Sequence, residues 1–134
     1  MYRRLYRSFL PILLLFTFSI ISVLSTSAAT QTFPNPMPIS VPGTGTGGVA
    51  NPYPSIITVT NMPGVITDVN VTLFNISHEF PDDLDVLLVG PAGQKVILMA
   101  DAGCNYVISG VTLTFDQSAD APLPDDGQIV DGTY

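Results

Sequence analysis

The sequence predicts an all-β domain, and three observations carry this prediction. Beyond residue 54, apolar and polar residues alternate with the two-residue period of a half-buried strand. The segment Gly90-Pro-Ala-Gly93 has Pro and Gly at the positions that a tight turn between two strands favours. Beyond residue 30, no window carries a capped apolar repeat of 3.6 residues. With 134 residues, of which 46% are hydrophobic, the chain has room for one folded core.

Residues 1–29 have the order of an export signal. Three arginines within the first seven residues precede an apolar run over residues 9–24, and a stretch of small residues ends at Ala29. The run is shorter than the roughly 20 apolar residues that cross a bilayer as a helix. We therefore expect cleavage after Ala29 and a secreted, extracellular product. A retained anchor is the alternative, and the membrane would then be contacted only through the uncleaved signal.

Residues 30–54 are predicted to be a lead-in segment outside the core. They contain six prolines and a glycine-rich run over residues 43–48. Prolines at this density exclude a helix and permit only short edge-strand pieces, such as residues 39–41. The single cysteine, Cys104, cannot form an internal disulfide, so the domain depends on its own core, with or without a metal.

The strands follow in order from residue 55. Alternation predicts one strand at residues 57–60, a second over residues 66–73 and a later one over residues 111–115. Residues 84–89 are apolar on both faces except at Asp85, and residues 95–100 form the second strand after the turn. We expect these two stretches to form a hairpin near the centre of a sheet, buried inside a β-sandwich.

Acidic residues dominate the chain beyond residue 7. This part contains Lys95 as its one basic residue against eleven Asp and Glu residues. Binding to a phosphate backbone needs a basic patch, so the composition excludes nucleic acid as a partner. Residues 119–134 hold four aspartates and two prolines and are predicted to form an irregular, solvated loop.

Two stretches resemble a known family. They are residues 66–78, ITDVNVTLFNISH, and residues 80–98, FPDDLDVLLVGPAGQKVIL. A strand, a His-containing corner, an Asp-Leu pair opening the next strand, a Pro-x-Gly turn and a return strand resemble, in this order, the P domain or Homo B domain. That module follows the catalytic domain of subtilisin-like proprotein convertases and occurs in secreted bacterial proteins. The resemblance covers residues 55–117. It implies a jelly-roll-like antiparallel β-sandwich without catalytic residues that supports folding, stability or attachment.

The resemblance also implies partners and an alternative. The implied partner is an adjacent protease or β-module, or an extracellular protein or surface. The family's last strands usually carry a Gly-x-Trp-x-Leu-x-Val-x-Asp pattern that has no counterpart in this chain. We therefore expect residues 55–134 to form a sandwich that is incomplete at its C-terminal end. The alternative is a fragment of a secreted subtilisin-like serine endopeptidase whose catalytic domain is not in this chain.

The one histidine, His78, is central to the catalytic hypotheses. A catalytic triad would need it beside a nearby aspartate and a serine such as Ser55 or Ser109. No Gly-x-Ser-x-Gly nucleophile motif is present. Glu79 and Asp83 form the other hypothesis, an acid and base pair for glycoside hydrolysis. We expect instead that His78 hydrogen-bonds loop backbone at the corner, and that this chain is not an enzyme.

A calcium site is the stronger chemical hypothesis. Calcium prefers several oxygen ligands, and loop carboxylates supply them together with main-chain carbonyls. Three aspartates cluster at the entrance of one predicted strand, and two more lie just past the ends of others, where the loops of a sandwich gather. Members of the resembling family have been seen to bind Ca²⁺, and solvated loop carboxylates are the alternative. The candidate ligands are Asp82, Asp83, Asp85, Asp101 and Asp116.

Overall fold

The structure, a computed structural model, describes residues 29–43, 45 and 47–134. This part of the chain forms five strands and one short 3-10 helix, with no α-helix, and the all-β prediction is therefore confirmed. In chain order the elements are β1 (Val71–His78), the 3-10 helix η1 (Pro81–Asp83), β2 (Val86–Val89), β3 (Lys95–Met99), β4 (Ile108–Phe115) and β5 (Gly132–Thr133).

All of these elements belong to one compact unit, Thr32–Tyr134. Of the other unit, Met1–Gln31, the described residues 29–31 have no regular secondary structure. The predicted signal peptide thus lies outside the described residues except for Ala29. Within the described residues, no helix has the length and apolar character needed to span a bilayer.

One sheet consists of β1, β4 and β5, with β4 in the middle. β1 runs antiparallel to β4 and places Leu73 opposite Leu113. The alternation predicted for these strands holds here, because Leu73 is half-buried and Leu113 is fully buried in the core. On the other face, the hydroxyl groups of Thr72 and Thr114 share a 3.0 Å hydrogen bond. Such cross-strand pairs are the units that stabilise a sheet.

The C-terminal residues complete this sheet. β5 runs parallel to β4, and the Tyr134 amide donates to the Thr114 carbonyl at 2.8 Å. Ile129, a few residues earlier, is fully buried. The prediction of an irregular, solvated loop over residues 119–134 is therefore wrong for the last residues, because an apolar side chain enters the core and the backbone pairs with β4.

A β-bulge in β1 changes which side chains face the core. The register passes from Leu73 opposite Leu113 to Ile76 opposite Val111, so β1 holds one extra residue at this point. Asn75, inside the bulge, has a φ of 57°. Before the bulge the odd-numbered side chains of β1 face the core, and after it the even-numbered ones do. This change explains why Ile76 packs against the core.

A second irregularity lies on the partner strand. The register passes from Ile76 opposite Val111 to His78 opposite Ile108, so here β4 holds the extra residue. Gly110 lies in this stretch with a φ of 69°, a left-handed conformation that glycine adopts without strain. The two insertions cancel, and His78 and Ile108 both end up buried.

β2 and β3 form the second sheet, a two-stranded hairpin. The Gly93 amide donates to the Gly90 carbonyl at 2.9 Å, and the Gly90 amide donates to the Gln94 carbonyl at 2.8 Å. The predicted hairpin and its turn are confirmed. Its predicted place near a sheet centre, buried inside the sandwich, is wrong, because the described residues place no third strand beside it and leave one face exposed. That face carries Leu87, Val89 and Ile97.

In the described part of the chain, one hydrophobic core joins the two sheets and the C-terminal segment. Its members come from β2–β3 and the loops beside them, from β4, and from the tail. They are Leu84, Met99, Ala102, Ile108, Leu113, Phe115 and Ile129. In the larger sheet, β4 supplies the buried members, and the half-buried Val71, Leu73 and Ile76 of β1 pack against them. The jelly-roll strand arrangement itself remains a prediction.

The segment before β1 differs most from the sequence prediction. The predicted edge piece at residues 39–41 is reduced to an isolated bridge in which the amides and carbonyls of Ser40 and Asn51 exchange two 2.8 Å hydrogen bonds. Residues 56–69 are exposed and belong to no strand. The strand predicted at residues 57–60 is therefore wrong, and the one predicted from residue 66 begins only at Val71. Apolar alternation does not make a strand where no neighbouring strand pairs with it.

Candidate functional site

The corner after β1 is built around His78. This side chain is buried, and both of its ring nitrogens contact main-chain groups. Nε2 lies 3.0 Å from the carbonyl oxygen of Pro42, and because a carbonyl only accepts, Nε2 carries the proton of that hydrogen bond. Nδ1 lies 2.6 Å from the carbonyl oxygen of Phe80 and 3.1 Å from its amide nitrogen. The prediction that His78 hydrogen-bonds loop backbone is confirmed.

The corner continues into η1, which begins with a buried proline. Pro81 occupies the first helical position, where its missing N–H costs no hydrogen bond. The Leu84 amide donates to the Pro81 carbonyl at 3.0 Å and closes the turn. Leu84 then enters the core, while Asp83 and Asp85 on either side of it point to solvent. The Asp-Leu-Asp sequence thus precedes β2 and places one side chain, that of Leu84, in the core.

The histidine has no catalytic neighbours among the described residues. Its hydrogen-bond partners are main-chain groups only. Ser55, one candidate nucleophile, accepts a hydrogen bond from the Asn35 side-chain amide at 3.0 Å, and Ser109 is an exposed residue of β4. Neither serine is bonded to His78, whose two nitrogens are already engaged. The described residues therefore hold no triad, and nothing in them indicates catalytic activity.

The glycosidase hypothesis also lacks a site. Glu79 and Asp83 are both exposed, and Asp83 lines a shallow cavity of about 360 Å³ with His78, Leu84 and Pro42. Enclosed, raised-pKa carboxyls are what such an acid and base pair needs. Both carboxyls are as exposed as ordinary solvated ones, so neither is enclosed in the way that this chemistry needs.

The five candidate calcium ligands lie in different settings. Asp82 and Asp83 are exposed residues of η1, and Asp85 is exposed just before β2. Asp101 lines a second cavity, of about 350 Å³, together with apolar residues of β3. The carboxylate of Asp116 accepts the Ser118 amide at 2.7 Å, in a local turn after β4. Among the described residues, no three His, Cys, Asp or Glu side chains converge as a metal site would require. The calcium site stays a prediction.

Two contacts of the structure could not be found from the sequence. Pro42 meets His78 across 36 residues, and no local pattern marks the carbonyl of a proline as a partner. The Asp131 carboxylate accepts a hydrogen bond from the Thr112 amide at 2.7 Å and so satisfies a main-chain donor of β4. Asp131 follows Ile129-Val130, and that apolar pair inside the acidic tail was the one available sign of a docked segment.

Comparisons of the chain with protein-family models, with curated proteins and with solved structures found no match. These comparisons assign no family to the chain. The fold itself defines a small β-rich domain with a corner that is held by hydrogen bonds of a buried histidine.

Proposed function

We propose that this chain is a non-catalytic accessory β-module of the P-domain type, carried by an exported protein, which supports folding, stability or attachment. The observation that carries the proposal is the corner at His78. The residues on which the resemblance rests form consecutive elements in the expected order. They are β1, the corner fastened to Phe80 and Pro42, η1, β2, the turn at residues 90–93, and β3.

The role of the histidine supports a structural rather than a chemical function. A buried ring whose two nitrogens each hydrogen-bond the main chain, at Pro42 and at Phe80, organises a corner and leaves no nitrogen for proton transfer. The two sheets share one core, as the layers of a sandwich do, and the jelly-roll arrangement is part of the proposal. The adjacent partner is a protease or β-module, or an extracellular protein or surface.

Calcium belongs to this proposal as a stabilising ion. The exposed Asp82, Asp83 and Asp85 follow one another around η1, and the one Lys or Arg side chain of the described part is Lys95 in β3. A divalent cation that gathered these carboxylates would relieve their mutual repulsion. Since the carboxylates do not converge, binding would have to draw them together.

The module is tested by following the natural gene product. An antibody against residues 80–98 identifies its mass and its compartment in the source cells, and sequencing the surrounding gene identifies any neighbouring domain. We expect an exported protein in which deletion of residues 55–134 lowers the yield or the surface attachment of the remainder. A subtilisin-like catalytic domain upstream in the same frame supports the protease-fragment alternative.

A second measurement addresses catalysis directly. The full chain is incubated with peptide, ester and glycoside substrates, beside a His78→Ala variant. We expect no turnover above buffer for either protein. Turnover by the full chain that disappears in a folded His78→Ala variant contradicts the proposal.

A further inference from the structure

We propose that Asp126 is a site of spontaneous isomerisation to isoaspartate and that the fold protects Asp131 from the same reaction. The C-terminal segment contains two Asp-Gly dipeptides, Asp126-Gly127 and Asp131-Gly132. Glycine after an aspartate favours this reaction, because it has no Cβ to hinder its main-chain nitrogen and its backbone adopts many conformations. The two dipeptides are chemically identical, so a difference between them in the folded chain arises from their surroundings.

The reaction takes place within the chain, and water is its only other reactant. The main-chain nitrogen of Gly127 attacks Cγ of the protonated Asp126 carboxyl group and forms a C–N bond. The carboxyl hydroxyl leaves as water together with the amide proton, and the product is a five-membered succinimide. Water then opens the ring at the main-chain carbonyl carbon, so that the main chain runs through Cβ and Cγ of residue 126. The isoaspartate chain therefore has the same composition and mass as the original chain.

Ring closure at Asp126 breaks no hydrogen bond. Asp126 is exposed and lies in a bend, and in the part of the chain that the structure describes neither it nor Gly127 makes a hydrogen bond. The chain is held on either side of this dipeptide. The Pro124 carbonyl accepts a main-chain hydrogen bond at 2.9 Å, and the Gln128 side-chain amide donates one at 3.1 Å. The dipeptide between them can therefore rotate into the geometry of the ring while the fold remains intact.

Asp131 is held at both groups that would react. Its carboxylate accepts the Thr112 amide at 2.7 Å, and the following Gly132 belongs to β5, where it lies opposite Leu113 of β4. Ring closure here requires the side chain to rotate away from Thr112 and the backbone to leave the sheet. A reaction that proceeds only from a locally opened state is slowed in proportion to the population of that state. The sheet therefore protects Asp131.

Isomerisation at Asp126 should weaken the docking of the C-terminal segment. Isoaspartate adds one carbon to the main chain three residues before Ile129, which is fully buried in the core. The added length has little space, because a Cβ at Gly127 would lie 3.1 Å from the Cβ atom of Pro124. We therefore expect the isoaspartate form to unfold at a lower temperature than the unmodified chain.

Ageing of the full chain at physiological temperature and pH tests the site. Isoaspartate is quantified by enzymatic methylation with a labelled methyl donor, and it is located by electron-transfer fragmentation of the tryptic peptide that follows Lys95 and holds both dipeptides. We expect at least about tenfold more isoaspartate at residue 126 than at residue 131, a ratio that an opening free energy of about 1.4 kcal/mol at Asp131 produces. The matched variants are Asp126→Glu and Asp131→Glu, since glutamate keeps the charge but would have to close a slower six-membered ring. Isoaspartate should disappear in Asp126→Glu and persist in Asp131→Glu.

Incubation in urea separates the effect of the fold from that of the sequence. In the unfolded chain we expect nearly equal isoaspartate at residues 126 and 131. Equal levels at the two positions in the folded chain, none at residue 126, or the same ratio with and without urea overturns the proposal.

Thermal unfolding of the isoaspartate form, separated by ion-exchange chromatography, provides the second measurement. Its midpoint should lie below that of the unmodified chain aged in parallel, and aged Asp126→Glu should keep its midpoint. Equal midpoints for the two forms contradict the expected weakening of the C-terminal segment. None of these outcomes affects the P-domain-type function, which rests on residues 66–98.

Discussion

The imidazole Nε2 of His78 lies 3.0 Å from the carbonyl oxygen of Pro42, which is 36 residues earlier in the chain. This hydrogen bond ties the proline- and glycine-rich lead-in to the end of β1. The other ring nitrogen holds the backbone of Phe80, two residues later. One side chain therefore connects a strand end, the loop after it and a distant segment.

Replacing His78 with alanine should destabilise the domain. The change removes the hydrogen bonds at Pro42 and Phe80 and leaves their main-chain groups in a partly buried corner. Leaving such groups unsatisfied costs about 1–3 kcal/mol in the free energy of unfolding. Urea unfolding of the full chain measures this loss in the free energy of unfolding. Glu79→Ala, at the exposed neighbouring position, is the control and should change the free energy of unfolding by less than about 0.5 kcal/mol. Equal midpoints for both variants would show that the corner does not depend on the histidine.

Gly103→Ala should destabilise the fold more than Gly93→Ala. Both glycines have a left-handed φ, 83° and 84°, so the conformational penalty is shared and amounts to about 1–2 kcal/mol. A Cβ at residue 103 would lie 2.7 Å from the Cδ1 atom of Ile129 and 2.9 Å from the Cγ atom of Pro81, whereas at residue 93 it meets open space.

The difference between the two variants isolates the packing contribution of residue 103. Overpacking the core at residue 103 should cost about 1–3 kcal/mol in addition to the shared conformational penalty. Thermal unfolding of both variants beside the wild type measures the difference. If Gly93→Ala lowers the midpoint as much as Gly103→Ala, the close approach of Gly103 to Pro81 and Ile129 does not constrain the fold.

The sequence predicts those features of the fold whose interacting residues are close together in the chain, and it misses those whose interacting residues are far apart. The hairpin could be predicted because the turn at residues 90–93 and its flanking apolar stretches are contiguous. The corner role of His78 could be predicted from its place between a strand and an Asp-Leu pair. The two register shifts in β1 and β4 could not, because a bulge moves alternation out of phase without altering composition. The docking of Ile129 could not either, since its partners are distant in the chain.

Leu113→Ala tests whether β4 is the centre of the core. Leu113 is 0% exposed, and truncation should leave a cavity that costs about 2–5 kcal/mol in the free energy of unfolding. Leu87→Ala removes the same atoms from the outer face of β2, where the side chain is 47% exposed. It should cost much less, under about 1 kcal/mol, since solvent already reaches the side chain. Chemical denaturation of the two variants is the measurement, and similar losses would contradict the described core.

Calcium should raise the thermal stability of the chain if the acidic residues around η1 bind it. A ligand that binds only the folded state adds RT ln(1 + [L]/Kd), or about 2.7 kcal/mol at a hundredfold excess over Kd. Unfolding midpoints of the full chain are compared in EGTA and in millimolar calcium. The variants are Asp83→Asn and Asp85→Asn, with Asp120→Asn in the exposed tail as the charge-matched control.

We expect the calcium-dependent shift in the wild type and in Asp120→Asn, and a smaller one in Asp83→Asn and Asp85→Asn. Each of these substitutions removes one negative charge, so a loss common to all three would reflect general charge rather than coordination. Equal midpoints in EGTA and calcium for the wild type would contradict calcium binding and leave these carboxylates as solvated loop charges. A shift that survives at both positions would move the ion toward Asp101 and Asp116, which lie in separate turns and would need to approach each other to share it.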